Sequence, residues 1–278
     1  MSNRNVILTG VPRSGTTLTC HLLNKLPNTV ALHEPMNVGL FPKLKNRDAI
    51  CDEIDRFFEA TRRSIRTSKT AISKHINFLV PDNHFGDQRS ELGLRMIVGS
   101  QGEIAVKKEL TSDFILTIKH PAAFTAMLKS LVKRFPCYAV IRNPLSVLAS
   151  WNTIKVPLAN GHAPAGERLD IDLAWTLDRI EDKTERQLHL LAWFFEKYQN
   201  VLPARSILRY ENVISSGGKS LSVITPQAQE LNEMLENKNK NILYDKELMQ
   251  FLGDKLLRTD GAFWEFYSKK SVELLLED

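Results

Sequence analysis

Two short segments of this chain set anion-binding chemistry at the boundaries of secondary-structure elements. The first is Gly10-Val11-Pro12-Arg13-Ser14-Gly15-Thr16-Thr17, between the apolar run Asn5 to Thr9 and a helical run from Leu18 to Leu26. Its spacing is that of the phosphate loop G-x-x-x-x-G-K-[ST], with Thr16 where the lysine belongs. Backbone N–H groups at a helix N-terminus favour an anion there. The threonine hydroxyls add donors, and Arg13 restores a cation from a different position. The missing lysine is the one that reaches the terminal phosphates of a nucleoside triphosphate, so the expected ligand is a nucleotide with another phosphate arrangement. A glycine turn with capping threonines is the plainer alternative. The second segment runs from Tyr138 to Trp151 and ends a strand with Arg142 before a helix begins at Pro144. Ligands of open α/β sheets bind at that end of the strands. Ser150 lies eight residues on, about two helical turns, and can face back toward Arg142. Taken alone, an arginine in this position is more often a surface ion pair.

Together the two segments resemble the sulfotransferases that use 3′-phosphoadenosine 5′-phosphosulfate (PAPS), more closely the bacterial and tyrosylprotein-type members than the cytosolic phenol and steroid enzymes. Leu208-Arg209-Tyr210-Glu211-Asn212-Val213 is similar to a Tyr-Glu-Asp-Leu segment after a late strand in many members. The resemblance implies PAPS as co-substrate, no metal, and two phosphate sites. Arg13, Ser14, Gly15, Thr16 and Thr17 would hold the 5′-phosphosulfate, and Arg142 and Ser150 the 3′-phosphate. It implies a catalytic role for Arg13 beside the leaving oxygen, and for Glu34, 21 residues further on, as the base. A carboxylate beside an anionic nucleotide should have its pKa pushed up, which suits a base. His33 is the second choice, and it faces the other way if the strand continues. Lys108, followed by Glu109, resembles the catalytic lysine of the tyrosylprotein branch; on the cytosolic register the lysine is Lys107 and Glu109 replaces the base. The sequence departs from the cytosolic pattern at Leu18, where those enzymes carry a tryptophan, and lacks their C-terminal glycine motif.

The elements that must position these residues alternate between strand and helix. Thr29 to Leu32, Ile104 to Lys108, Cys137 to Ile141 and Ser206 to Tyr210 read as further strands. Ala49 to Leu79, Ala122 to Phe135 and Leu145 to Trp151 read as helices, Asn160 to Gly166 as a loop, and Leu173 to Leu202 as one or two helices. The fold class this predicts is α/β, a P-loop-NTPase-like parallel sheet with helices on both faces. A single domain over 1–278 is expected, with insertions at 49–102 and 153–170 walling the acceptor site.

Composition bounds the alternatives. The 278 residues are 43% hydrophobic, with 13 glycines and 12 prolines, which suits a folded core and not a low-complexity chain. The net charge of +5 is compatible with an anionic partner and too small to imply nucleic acid. Basic residues cluster from Arg56 to Lys74, a pattern that usually marks a solvated helix face. No apolar stretch is long enough for a membrane span or a signal peptide, and three scattered cysteines fit a reducing compartment. The expectation is a cytoplasmic enzyme acting on a small-molecule, lipid or carbohydrate acceptor. The rival readings are a P-loop kinase with an altered loop and a catalytically silent nucleotide-binding protein.

Overall fold

Asn5–Gly10 is buried at all six positions, and a strand without polar alternation must be covered on both faces. In the computed structural model, which describes residues 4–91 and 93–277, this segment is β1, the middle strand of a five-stranded sheet. On one side it pairs in parallel with β7 (Ile115–Lys119), Ile7 lying opposite Ile118, and β2 (Thr29–His33) lies beyond. On the other it pairs with β8 (Cys137–Ile141), Gly10 opposite Val140, followed by β9 (Ile207–Arg209). All these pairings are parallel, in the order β2-β7-β1-β8-β9. Helices flank the sheet: α1 (Thr16–Leu23) packs on β1, β2 and β7, and α3 (Pro121–Leu131) packs on β1 and on α7 (Lys183–Val201). The α/β, P-loop-like architecture is therefore present. Among the described residues, no helix is long and apolar enough to cross a membrane.

Two elements differ from expectation, each for a local reason. The helix read over Ala49 to Leu79 is α2 (Arg47–Ser68), stopped at Lys69, which turns left-handed at φ 56°. The following Thr70–His75 is strand β3, paired antiparallel with β6 (Ser100–Ala105) outside the main sheet. Thr70 and Ile72 are β-branched, which suits a strand better than a helix. The segment Ile104 to Lys108 accordingly does not join the parallel sheet; its first two residues close β6. The strand that does join it is β7, whose five residues are all buried. Between β3 and β6 lies a hairpin of β4 (Phe85–Arg89) and β5 (Arg95–Ile97). Leu173 to Leu202 resolves into α6 (Ile171–Arg179) and α7, divided where Asp182 caps the second helix by accepting from the Glu185 N–H at 2.8 Å.

The remaining helices are α4 (Pro144–Trp151), α5 (Pro164–Glu167), α8 (Tyr210–Ser215), α9 (Lys246–Leu257) and α10 (Lys269–Leu276). The chain leaves β1 toward β2 on one side and leaves β8 toward β9 on the other. A crevice therefore opens at the C-terminal ends of β1 and β8, where the sheet changes direction.

Candidate active site

A cavity of about 920 Å³ occupies that crevice, near the upper end of ordinary ligand sites. The loop after β1 forms its floor and requires both glycines. A Cβ on Gly10 would lie 2.4 Å from the Val140 carbonyl oxygen, and Gly15 sits at φ 92° against the Tyr210 ring. Arg13 is left-handed too, at φ 74°. This alternation of turns, followed by the uncapped first turn of α1, gathers backbone N–H groups into an anion-binding concavity. Gly15, Thr16 and Thr17 line the cavity. Ser14 does not: it is fully buried and its hydroxyl donates to the Val140 carbonyl at 2.6 Å. Ser14, expected among the residues that hold the 5′-phosphosulfate, instead uses its side chain to tie the loop to β8.

Arg13 lies across the cavity. Its Nε donates to Ser150 Oγ at 3.1 Å, one terminal nitrogen donates to Asn83 Oδ1 at 3.1 Å, and the guanidinium stacks 4.5 Å from the Phe85 ring. Burial first, then the charges of Arg95 and Arg142, lower its pKa to about 9. The charges of Arg95 and Arg142 thus bear on Arg13, an arrangement that an anion relieves.

Arg142, 5% exposed, lines the cavity beside the loop. It donates to Asn239 Oδ1 (2.7 Å), the Arg13 carbonyl (3.2 Å), the Tyr244 hydroxyl (3.3 Å) and the Lys238 carbonyl, and lies 4.5 Å over the Tyr210 ring. Ser150 is turned toward Arg13, so the expected pairing of Arg142 with Ser150 is not what the structure shows. Arg142 lines the cavity, whereas Ser150 is buried behind Arg13 and does not.

Glu34 stands at the end of β2, at φ 46°. That left-handed residue breaks the alternation of the strand, so His33 does not face away: its Nε2 lies 3.4 Å from Glu34 Oε1. Lys119, from the end of β7, donates to Glu34 Oε1 at 2.9 Å, and Lys74 of β3 donates to Oε2. Burial pushes this carboxyl up, but Lys119, the His33 hydrogen bond and Lys74 together outweigh it and hold Glu34 well below the usual carboxylate range. The expected elevation is therefore reversed, because two ammonium groups clamp the carboxylate. His33, His84 and His120 surround the clamp. Burial is the largest influence on each, followed by Lys119 at His33, Lys74 at His84, and Glu34, which opposes it, at His120; their pKa values fall to about 3, 4 and 3 respectively. All three are neutral near pH 7. The His33 and His84 rings meet edge to face at 4.9 Å.

Lys108 is corrected outright as a cavity residue. It donates to the Leu26 and Thr29 carbonyls at 2.8 and 2.7 Å, away from the cavity, and caps the α1–β2 connection. Neither Lys107 nor Glu109 lines the cavity. The lysine at Glu34 is Lys119, and sequence reasoning missed it although Phe114-Ile-Leu-Thr-Ile-Lys119 shows the same apolar run ending in a cation as Tyr138-Ala-Val-Ile-Arg142. Lys74 had no such signal, since it sat inside a segment read as helix. The segments 49–102 and 153–170 both contribute to the wall, with Asn83, His84 and Ile97 from the first and Leu158 and His162 from the second.

No protein-family model matches the chain, and no curated protein matches it. Among solved structures it is similar to a sulfotransferase from Mycobacterium tuberculosis H37Rv, at 12% identity and a TM-score of 0.39, covering 92% of this chain and 77% of that one. A likeness that slight carries no inference about this chain.

Proposed function

We propose that the chain is a PAPS-dependent sulfotransferase that moves a sulfuryl group to a hydroxyl or amine acceptor without a metal ion. The observation that carries this reading is the meeting, in one cavity, of two basic loci on adjacent strands with a lysine-clamped carboxylate. The Gly10–Thr17 loop and Arg142 provide separate anion sites, as a nucleotide phosphorylated at both ends requires. Thr16 in place of lysine disfavours a nucleoside triphosphate.

In this reading the N–H groups of Gly15, Thr16 and Thr17 hold the 5′-phosphosulfate, and Arg142 binds the 3′-phosphate after releasing the Lys238 carbonyl. Ser150 acts through Arg13, which it orients. Arg13 neutralises the charge that develops on the leaving phosphate as the sulfur–oxygen bond breaks. The acceptor oxygen forms the new bond to sulfur and gives its proton to Glu34, and the products are a sulfate ester and 3′-phosphoadenosine 5′-phosphate. Lys119 serves both partners: when it turns to the sulfuryl oxygens, Glu34 loses its strongest ionic neighbour and its proton affinity rises. Binding of the donor thereby readies the base.

Glu34→Gln tests the assignment. Turnover of PAPS across an acceptor library should fall about 10²- to 10⁴-fold, while affinity for 3′-phosphoadenosine 5′-phosphate stays within about twofold. A variant keeping half of the wild-type kcat would remove Glu34 as the base.

A further inference from the structure

The turn that carries Glu34 is held in a conformation its own sequence disfavours. Glu34 is left-handed at φ 46°, which strains any side chain. Pro35 follows it and presses the preceding residue toward extended backbone. Strain of this kind persists only where the surrounding structure imposes it, and it concentrates at working sites.

Neighbouring strands impose it here. β2 and β7 run in parallel with His33 opposite Lys119, and their ladder ends with the Glu34 N–H donating to the Lys119 carbonyl at 2.9 Å. The next donor on that side of the chain is Met36, two residues on, but β7 has by then turned into α3 at Pro121. The His120 side chain stands in for the missing carbonyl: its Nε2 accepts the Met36 N–H at 3.1 Å. That lone pair exists only in the neutral ring with its proton on Nδ1. The ring is 5% exposed and packs edge to face on Phe124 at 5.0 Å, which fixes its direction. From the other side Gln101 of β6, which lies opposite Lys74 of β3, donates to the Pro35 carbonyl at 2.7 Å.

We propose that His120 is a positioning residue: it bridges the two backbones that bear Glu34 and Lys119, and so sets the direction in which the carboxylate meets the acceptor. The consequence for turnover rests on the sulfotransferase reading; the bridge itself does not. His120 follows Lys119 directly and Met36 stands two residues after Glu34, so one hydrogen bond ties together both sides of the ion pair. Because a backbone donor occupies its Nε2 and Nδ1 carries the proton, the neutral ring has no lone pair left to take a proton from the acceptor. His120 therefore acts through Glu34 and not in its stead. Gln101 supports the same turn from the strand pair that supplies Lys74.

Two substitutions separate the bridge from mere packing. His120→Leu removes the acceptor atom and keeps an apolar filling, whereas His120→Gln can return an oxygen near the position of Nε2. The first readout is the titration of the Glu34 carboxyl, followed by NMR in protein isotopically labelled at its glutamate carboxyl carbons, with the signal assigned by its loss in Glu34→Gln. In the wild type it lies well below the usual carboxylate range. His120→Leu should move it up toward that range, and His120→Gln should leave it low. With PAPS, His120→Leu should lower kcat at least about tenfold while KM for PAPS stays within about twofold, since a small misplacement of a reacting group is costly. His120→Gln should regain most of that kcat. Gln101→Ala, at an exposed position, should shift the titration in the same direction by less, and it carries the test where His120→Leu does not fold. The proposal is overturned if His120→Leu, or Gln101→Ala in its place, leaves the Glu34 titration unmoved, or if His120→Gln is as impaired as His120→Leu. A fall in kcat without a shift in the titration also overturns it, because His120 would then act on the acceptor itself. The expected titration shifts in a protein that neither binds 3′-phosphoadenosine 5′-phosphate nor transfers sulfuryl would keep the bridge and remove the sulfotransferase reading.

Discussion

Replacing Lys119 with methionine keeps the buried aliphatic stem and removes the ammonium that donates to Glu34 at 2.9 Å. Hydrogen bonds to charged groups contribute about 1.5–3 kcal/mol, and the Lys119 side chain is 3% exposed, so little solvent screening reduces that figure. Lys74 remains on Oε2, which keeps the loss from reaching that of a wholly unpaired buried charge. A change of 1 kcal/mol moves Tm by about 2–4 °C in a chain of nearly this size, so Lys119→Met should lower Tm by roughly 3–12 °C near neutral pH. The loss has a pH signature. The folded-state pKa of Glu34 lies below its unfolded value, so the clamp contributes fully above the ordinary carboxylate range and fades as pH falls through that range toward the depressed value. Calorimetry of the wild type, Lys119→Met, Glu34→Gln and the double variant isolates the pair. A coupling of about 1.5–3 kcal/mol at neutral pH, shrinking in acid, is expected. A coupling below about 0.5 kcal/mol would refute the clamp, since distant sites add within that margin.

Arg142→Ala should weaken binding of 3′-phosphoadenosine 5′-phosphate by tenfold or more in titration calorimetry, and binding of adenosine 5′-phosphosulfate, which has no 3′-phosphate, by less. Equal losses would mean that Arg142 does not read the 3′-phosphate. Ser150→Ala, which deprives Arg13 of its Nε partner, should weaken both nucleotides alike. Lys108→Met should lower Tm through the lost Leu26 and Thr29 contacts and leave kcat within about twofold, because the residue is remote from the reacting groups; a hundredfold fall in kcat would restore it to the site.

Those parts of the site that follow directly from short segments were legible in the sequence. Gly10, Arg13 and Gly15 are fixed by a strand–loop–helix junction whose backbone admits few alternatives, and β1 and β8 announce themselves as uninterrupted apolar runs. Arg142 was located, though not its clasp by Asn239 and Tyr244, which comes from a segment some hundred residues away in sequence and with no periodic pattern. Glu34 was found and its environment was not. The pairing of β3 with β6 brings Lys74 to it, and the neighbouring position of β7 brings Lys119. Both depend on long-range strand pairing, which local propensity does not encode. The mistaken choice of Lys108 has the same origin. Ile104 to Lys108 carries a strand-like pattern, but that pattern cannot say whether the strand joins the central sheet or a peripheral hairpin.

Thermal denaturation with nucleotides tests the central claim most directly. With 3′-phosphoadenosine 5′-phosphate at about 100 times its Kd, the folded state gains roughly 2.7 kcal/mol, and Tm should rise equally with and without EDTA. ATP with magnesium should shift it much less, because the loop has Thr16 where a lysine would grip the terminal phosphates. A larger shift with ATP that EDTA abolishes, or no shift with either nucleotide, would contradict the account.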